Sequence, residues 1–182
     1  MRARRTLGSG VVTESEVAAS FDREVARIRT LNQEGWASEA LELAATLVKH
    51  YPDDPRSHFE YAGVLDFQGR ETYAVAPYRR AQELGLSGAD LPRLYVQLGS
   101  TLRNVGQFEE AVRFLAEGRQ RFPDHAAIRA FYALALVSAG RCLEATVTLL
   151  EVMTELSSPI DLDGYDRALR QYTDELRERA SL

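Results

Sequence analysis

Residues 95–123 read YVQLGSTLRNVGQFEEAVRFLAEGRQRFP, and the spacing of small and apolar residues in this stretch decides the fold. Gly99 and Leu102 are three residues apart, which places them on one face of a helix. Gly106 follows Leu102 by four residues, and glycine readily adopts the left-handed conformation that often ends a helix. Ala111 then falls early in a second helix, where a small side chain lets two helices approach closely. The stretch therefore predicts a helical hairpin.

The same spacing occurs four times along the chain. The turn glycines are separated by 34, 37 and 34 residues, and each has a leucine four residues before it and an alanine five residues after it. Seven residues before each glycine stands a residue that is small in three of the four repeats. The columns are Gly35, Gly69, Gly106 and Gly140; Leu31, Leu65, Leu102 and Leu136; Ile28, Ala62, Gly99 and Ala133; and Ala40, Ala74, Ala111 and Ala145. Such a period is typical of a helical repeat protein.

The third unit carries a resemblance to a known family. Tyr95, the pair Leu98-Gly99, Ala111 and the closing Pro123 make it resemble the tetratricopeptide repeat, with Tyr95 at the place of the family's usual tryptophan. The resemblance covers about residues 21–157. The insertion over residues 84–90 is also similar to one in a bacterial subgroup of small tandem repeat proteins of unestablished role. The resemblance implies an all-α fold: a right-handed α-solenoid of four helix–turn–helix repeats with a C-terminal capping helix.

The ends and the repeat boundaries follow from the same pattern. We expect a flexible arm over residues 1–13 and a first helix over about residues 14–34, because Thr13-Glu-Ser-Glu16 has the capping-box pattern. The four repeats span residues 14–157, divided at about 14–54, 55–91, 92–125 and 126–157. A capping helix is expected over residues 158–182, since a solenoid must cover the apolar face of its last repeat.

Two local departures carry their own expectations. Pro77 lies inside the second helix of repeat two, so that helix either begins late or bends, and we favour a kink. The insertion at residues 84–90 should form a longer turn, with Ser87 or Asp90 capping the next helix.

Composition excludes several classes of protein. The net charge of −5 argues against a dominant nucleic-acid surface. Lys49 is the only lysine beside 21 arginines, which fits codon bias in a GC-rich genome better than selection for carboxylate binding. The sequence shows no secretory signal and no run of apolar residues that would span a membrane. One cysteine permits no intrachain disulfide, so we expect a cytoplasmic protein.

No motif for catalysis, cofactor binding or metal binding is present. His50, His58 and His125 lack the spacing of a zinc site and are better explained by packing or helix ends. Cys142 falls in the column of Phe108, which predicts a semi-buried packing side chain rather than a reactive thiol. The aspartates that begin at Asp161 do not match a calcium loop and are better explained by helix capping. We therefore expect no enzyme activity, no cofactor and no metal.

The concave surface of this architecture is formed by the first helix of each hairpin and is the usual ligand side. Projecting the repeat columns onto it gives arginines, amides and aromatics as candidate peptide-binding residues. They are Arg29, Asn32, Arg56, Phe59, Phe67, Arg93, Gln97, Ser100, Arg103, Asn104 and Phe131. Such a mixture could hold an extended peptide by its backbone and by one or two carboxylates. The positions of the lysine–asparagine clamp that some family members use for a C-terminal carboxylate are not filled by those residues here.

Two functions are compatible with the sequence. The favoured one is a scaffold or adaptor whose concave groove binds a peptide or protein partner, without nucleic acid or membrane. The alternative is a structural or self-associating module, in which the first helix or the C-terminal cap pairs with a second copy to form a homodimer.

Overall fold

A computed structural model describes residues 14–155 and residues 164, 165, 167, 168, 171 and 172. The described residues contain eight α-helices and no strand, so the fold is all-α as the sequence predicts. The arm predicted for residues 1–13 lies outside the described residues, as does most of the predicted capping helix. The helices are α1 Glu14–Gln33, α2 Ala37–His50, α3 Pro55–Phe67, α4 Glu71–Glu83, α5 Asp90–Asn104, α6 Phe108–Arg121, α7 Ala126–Ser138 and α8 Cys142–Glu155.

The turn inside each hairpin explains the leucine and glycine columns. Gly106 has a φ of 81°, and the glycines at the other three turns are also left-handed. The residue after each glycine donates its backbone N–H to the carbonyl of the column leucine; at the third turn Gln107 N lies 2.8 Å from Leu102 O. These bonds satisfy carbonyls that the end of a helix would leave open. Leucine and glycine are therefore parts of one helix-terminating motif.

The connections between hairpins end in a different way. Tyr51 and Phe122, the residues that follow α2 and α6, have extended φ values of −129° and −131°. Each precedes a proline, which disfavours helical geometry in the residue before it. After Pro52 the chain begins α3 at Pro55, and the Asp54 carboxylate accepts a hydrogen bond from Arg56 N at 2.9 Å.

Two sequence expectations for the second and third repeats need correction. Helix α4 runs through Pro77, so the possibility that it begins late is wrong, whereas the kink stays a prediction. Ser87 and Asp90 do not cap α5: its N-cap is Ala89, without a side-chain hydrogen bond. Asp90 lies in the first turn of α5, and its carboxylate is bonded to arginines instead.

The core is built where hairpin helices meet. The column alanines Ala40, Ala74, Ala111 and Ala145 are at most 1% exposed. Helix α1 reaches this core through Phe21, Val25 and Ile28, all buried, which explains how it forms despite polar residues elsewhere in its pattern. The first helices also touch their neighbours, α1 with α3, α3 with α5 and α5 with α7, and this alignment produces the concave face.

Two glycines allow helices α5 and α6 to pack closely. A Cβ atom at Gly99 would lie 2.5 Å from Leu115 Cγ, and one at Gly118 would lie 2.7 Å from Tyr95 Cγ. Neither neighbouring atom is at the flexible end of its side chain. Helices α5 and α6 therefore pack at a distance that excludes even a methyl group at these positions.

We expect Gly99→Ala to lower the free energy of unfolding by about 1 to 3 kcal/mol, because the added methyl group overpacks the contact with Leu115. Gly63→Ala is the matched control, since its nearest neighbours would be 3.9 Å away. That change should raise stability by about 0.5 to 1 kcal/mol through helix propensity alone. Chemical denaturation of both variants is the measurement, and equal effects of the two changes would contradict the packing argument.

Candidate functional site

The concave face holds one large cavity of about 850 Å³, lined mainly by the first helix of each hairpin. Nine of the eleven candidate residues line it: Arg29, Asn32, Phe59, Phe67, Arg93, Gln97, Ser100, Asn104 and Phe131. The remaining two, Arg56 and Arg103, do not. We call this cavity the groove.

Arg56 is engaged outside the groove, whereas Arg103 contacts two side chains that line it, Asn104 and Tyr172. Arg56 bonds Asp22 of α1 at 2.8 Å, and its guanidinium carbon stands 4.4 Å from the centroid of the Phe21 ring. Arg103 bonds the neighbouring Asn104 at 2.9 Å. Arg56 therefore fastens α3 to α1 outside the groove.

The end of the groove near repeats one to three carries an ion-pair network. Arg29 of α1 bonds Glu60 of α3 and, at 3.1 Å, Asp90 of α5. Arg93 bonds the same Asp90 at 2.8 Å. Two arginines thus face two carboxylates across three helices, and their charges are balanced within the chain.

Glu60 is the most enclosed member of this network, with 6% of its surface exposed. Burial raises the pKa of Glu60, and the bonded Arg29 offsets only part of that shift. Although burial alone would lower it, the pKa of Arg29 is raised by its hydrogen bond and charge interaction with Glu60 and by Asp90. Removing the guanidinium beside a buried carboxylate strongly destabilises the fold, because the remaining charge stays buried without a partner.

A second polar group forms the floor of the groove. The buried Tyr78 hydroxyl reaches from α4 to within 3.3 Å of Asp66 Oδ2 and 3.1 Å of Gln97 Oε1. Burial raises the pKa of Asp66 to about 6; neighbouring Glu71 adds to the shift, and hydrogen bonds with Thr101 and Tyr78 oppose it. Burial also raises the pKa of Tyr78 well above its usual value, so its hydroxyl stays a donor.

The end of the groove near repeats three and four is aromatic. Phe131 of α7 is 2% exposed, and the rings of Tyr165 and Tyr172 pack edge-on against it with centroid separations of 5.6 and 6.0 Å. Ala168 and Gln171 line the same wall. The described C-terminal residues therefore lie on the concave side, against α7 and α5.

Helix α8, by contrast, carries apolar side chains in contact with solvent. Leu143 is 79% exposed and Val147 is 49% exposed. Cys142, at the start of the same helix, is also exposed, so the prediction of a semi-buried packing role for it was wrong. The reason is visible one repeat earlier, where Phe108 in the same column is 40% exposed as well.

The structural roles predicted for two histidines are confirmed. His58 Nε2 lies 2.7 Å from Pro52 O, and His125 accepts a hydrogen bond from Ile128 N at the start of α7. Among residues 14–155 and the six C-terminal positions described, no three potential ligand side chains come together in a group that could hold a metal ion.

Sequence reasoning missed the residues that reach the groove from outside the first helices. Tyr78 comes from a second helix, where the repeat pattern predicts only core packing. Tyr165 and Tyr172 come from the segment that was expected to cap the last repeat. Their helical spacing was visible in the sequence, but nothing in that spacing indicated the concave side.

The raised pKa of Asp66 gives a stability prediction with a definite sign. Protonating this carboxylate stabilises the fold; the effect is fully present below the ordinary pKa of 3.8 and is lost as the pH rises to about 6. Asp66→Asn should therefore gain stability relative to the wild type by up to on the order of 3 kcal/mol between about pH 4 and about pH 8. Urea denaturation across this range measures the difference.

The exposed Glu83 supplies the control for this experiment. Glu83 is 64% exposed and pairs only with Arg80 across one turn of α4. Glu83→Gln should change the free energy of unfolding by no more than about 0.5 kcal/mol at any pH. A difference between Asp66→Asn and the wild type that stays constant over the range would show that the Asp66 carboxylate is not perturbed.

Several solved structures share this fold. The chain is similar to YrrB, a TPR protein described as having an unusual peptide-binding site, with 14% identity over 80% of this chain and 76% of that one and a TM-score of 0.63. It is similar to a putative kinesin light chain of Podospora anserina with TPR-like repeats, at 16% identity, 88% and 94% coverage and a TM-score of 0.68. MamA matches at 13% identity, 81% and 84% coverage and a TM-score of 0.64.

Two further observations accompany these likenesses. No curated protein matches the sequence. No helix in the described part of the chain is long and apolar enough to cross a membrane.

The family itself is shown by sequence as well as by shape. The family model described as Tetratrico peptide repeat matches residues 55–176, about two thirds of the chain. This match begins at α3 and extends beyond α8 into the segment that carries Tyr165 and Tyr172. Together with the left-handed glycine turns and the buried alanine column, it identifies the chain as a member of the tetratricopeptide-repeat family.

Proposed function

We propose that this chain is a non-catalytic interaction module that binds a peptide or protein segment in the groove. The observation that carries the proposal is the cavity of about 850 Å³ lined by the first helices of all four hairpins. Its wall carries the exposed ring of Phe67 and exposed amide side chains, which can contact the apolar side chains and the backbone of a bound segment. The described peptide-binding site of YrrB, on a similar fold, supports the same reading.

The amides of the groove suit the backbone of a bound segment. Gln33 and Asn104 line the groove and are exposed. Asn32 Oδ1 is buried and has no hydrogen-bond partner among the described residues. Because an unsatisfied buried acceptor is costly, a donor N–H from a bound segment would find a favourable place there.

The charges of the groove favour a segment with a basic side chain over one with carboxylates. Arg29 and Arg93 are already paired with Glu60 and Asp90, so they do not present free positive charge. Asp66 and Glu71 also line the groove, and neither forms an ion pair with an arginine or lysine among the described residues. The carboxylate grip expected from the arginine-rich sequence is therefore not the arrangement we propose.

The proposal is tested by removing two exposed groove side chains, one aromatic and one amide. Phe67 is 60% exposed at the groove wall, and Asn104 of α5 is exposed in the same groove, where it accepts a hydrogen bond from Arg103. The double variant Phe67→Ala/Asn104→Ala should lose proteins that copurify with the wild type, by about tenfold or more in capture. Affinity capture from the native cells, followed by mass spectrometry, is the measurement.

Helix α4 offers a matched control on the other side of the hairpin. Tyr73 is 66% exposed and Gln82 is exposed, and neither lines the groove. Tyr73→Ala/Gln82→Ala removes one aromatic and one amide side chain, as the groove variant does, and should leave the captured proteins unchanged. Equal losses in both variants, or none in either, would count against binding in the groove.

Self-association is a second candidate, favoured by the exposed apolar side chains of α8. Leu143 and Val147, four residues apart on one face of α8, have exposed fractions of 79% and 49%. Apolar side chains that cluster on a surface are often buried by a partner. A second copy of the chain meeting α8 would cover them in a symmetric dimer.

Light scattering distinguishes this candidate from a monomeric adaptor. If α8 forms the interface, Leu143→Asp/Val147→Asp should reduce a dimeric mass to that of one chain, because two charges would be buried without partners. Thr72→Asp/Tyr73→Asp, at exposed positions of α4, is the control and should leave the mass unchanged. A wild-type mass that equals one chain at every attainable concentration would rule out self-association.

A further inference from the structure

The described C-terminal residues occupy part of the groove rather than lying beside it. Tyr165, Ala168 and Tyr172 are partly buried and pack against the core of repeats two to four. Gly164 and Gln171 line the same cavity. We call the side chains of Tyr165, Ala168 and Tyr172 the inner face of the C-terminal segment.

Tyr172 is held by three contacts of different kinds. Its ring packs edge-on against Phe131, and the guanidinium carbon of Arg103 stands 4.1 Å from its centroid. Its hydroxyl lies 3.1 Å from Ser100 Oγ. A cation, an aromatic edge and a hydroxyl therefore form a subsite shaped for one phenol side chain.

Two of the three inner-face residues have the spacing of a helix. Ala168 and Tyr172 are four residues apart, which places them on one face of a helix, and Tyr165 stands at a non-helical position three residues before Ala168. Residues 167, 168, 171 and 172 are helical. The groove between α5 and α7 thus receives an aromatic–small–aromatic face, of which Ala168 and Tyr172 lie as on a helix bound in a groove.

The contacts of the segment overlap with the groove residues assigned above to a partner. Ser100 and Phe131 line the groove and at the same time contact Tyr172. A partner that reached these two side chains would have to remove the tyrosine ring first. Two ligands that need the same atoms exclude each other, so occupancy by one reduces the apparent affinity for the other.

We propose that the C-terminal segment is an intramolecular occupant of the groove, and that a partner entering the half between α5 and α7 displaces it with a segment of the same kind. Such a segment carries two aromatic side chains seven residues apart, with a small residue between them. The displacement by a partner rests on the proposed function, whereas the occupancy of the groove by the C-terminal segment concerns only this chain. Each contact of Tyr172 is individually modest, so a partner can displace the segment from the groove.

The test uses the full-length chain and a defined probe. The probe is a fluorescein-labelled synthetic peptide with the sequence of residues 159–178, PIDLDGYDRALRQYTDELRE. In the variant Tyr165→Ala/Tyr172→Ala the chain's own segment loses its aromatic contacts and vacates the groove. This variant should bind the peptide at least about tenfold more tightly than the wild type does, as expected if the segment fills the groove for nine tenths of the time or more. Fluorescence anisotropy measures both affinities.

Three controls keep the result specific. A peptide with alanine in place of both tyrosines should fail to bind the open variant. Tyr73→Ala removes an exposed tyrosine from α4 and should bind the peptide as weakly as the wild type. Loss of both rings could unfold repeat four, so the single variant Tyr172→Ala is measured as well. Circular dichroism shows whether each variant is folded. The single variant should show a smaller gain in affinity for the peptide than the double variant.

The outcomes separate this inference from the proposed function. Equal affinity of the wild type and the folded open variants for the peptide, or equal binding of the peptide without tyrosines, would overturn intramolecular occupancy. Peptide binding that follows the tyrosines would support it, even if groove variants lose no captured protein and the proposed function fails. Conversely, a groove that binds a partner equally well in the wild type and in the open variants would leave the proposed function standing and overturn the displacement of the segment by that partner.

Discussion

The close approach of the two helices within each hairpin is the constraint on which the rest of the structure depends. Four alanines in one column are buried to 1% exposure or less, and the contacts of Gly99 with Leu115 and of Gly118 with Tyr95 leave no room for a Cβ atom. When hairpin helices are this close, the first helices of successive repeats can also lie side by side and form a continuous concave wall. The groove is thus a consequence of small residues in the core, and larger side chains in these columns would separate the helices that line it.

The charged network adds a second constraint, which acts between repeats. Arg29 in repeat one bonds Glu60 in repeat two and Asp90 at the start of repeat three. Each partner is in a different helix, so the three first helices are tied to one relative placement at this end. Asp90 reaches the site from the insertion that makes the second repeat longer than the others. The insertion therefore supplies a carboxylate that pairs with both of the partly exposed arginines, Arg29 and Arg93, while Arg29 also balances the buried carboxylate of Glu60.

The sequence predicted the roles of residues that recur in every repeat, but it did not predict the contacts between residues of different repeats. The glycine, leucine and alanine columns predicted eight helices, and the left-handed turns confirm the role of glycine. Nine of eleven candidate residues line the groove because repeat geometry fixes which helix face is concave. The pairing of Arg29 joins residues 31 and 61 positions apart, and a single sequence carries no signal for such contacts. The same holds for the packing of Tyr172 on Phe131 and for the exposure of Cys142.

The groove has two chemically different halves, one between α1 and α3 and one between α5 and α7. Between α1 and α3 it holds most of the charged and amide side chains, together with the exposed ring of Phe67. Between α5 and α7 it contains Phe131, an aromatic ring that is 2% exposed while Tyr165 and Tyr172 cover it. Removing that cover exposes apolar surface to water, which is unfavourable unless the incoming segment restores it. A partner that engages only the polar half can bind without moving the C-terminal segment, whereas one that extends along the whole groove must bring its own aromatic surface. Under the function proposed above, the side chains that cover Phe131 are therefore also the ones that a partner entering this half must replace.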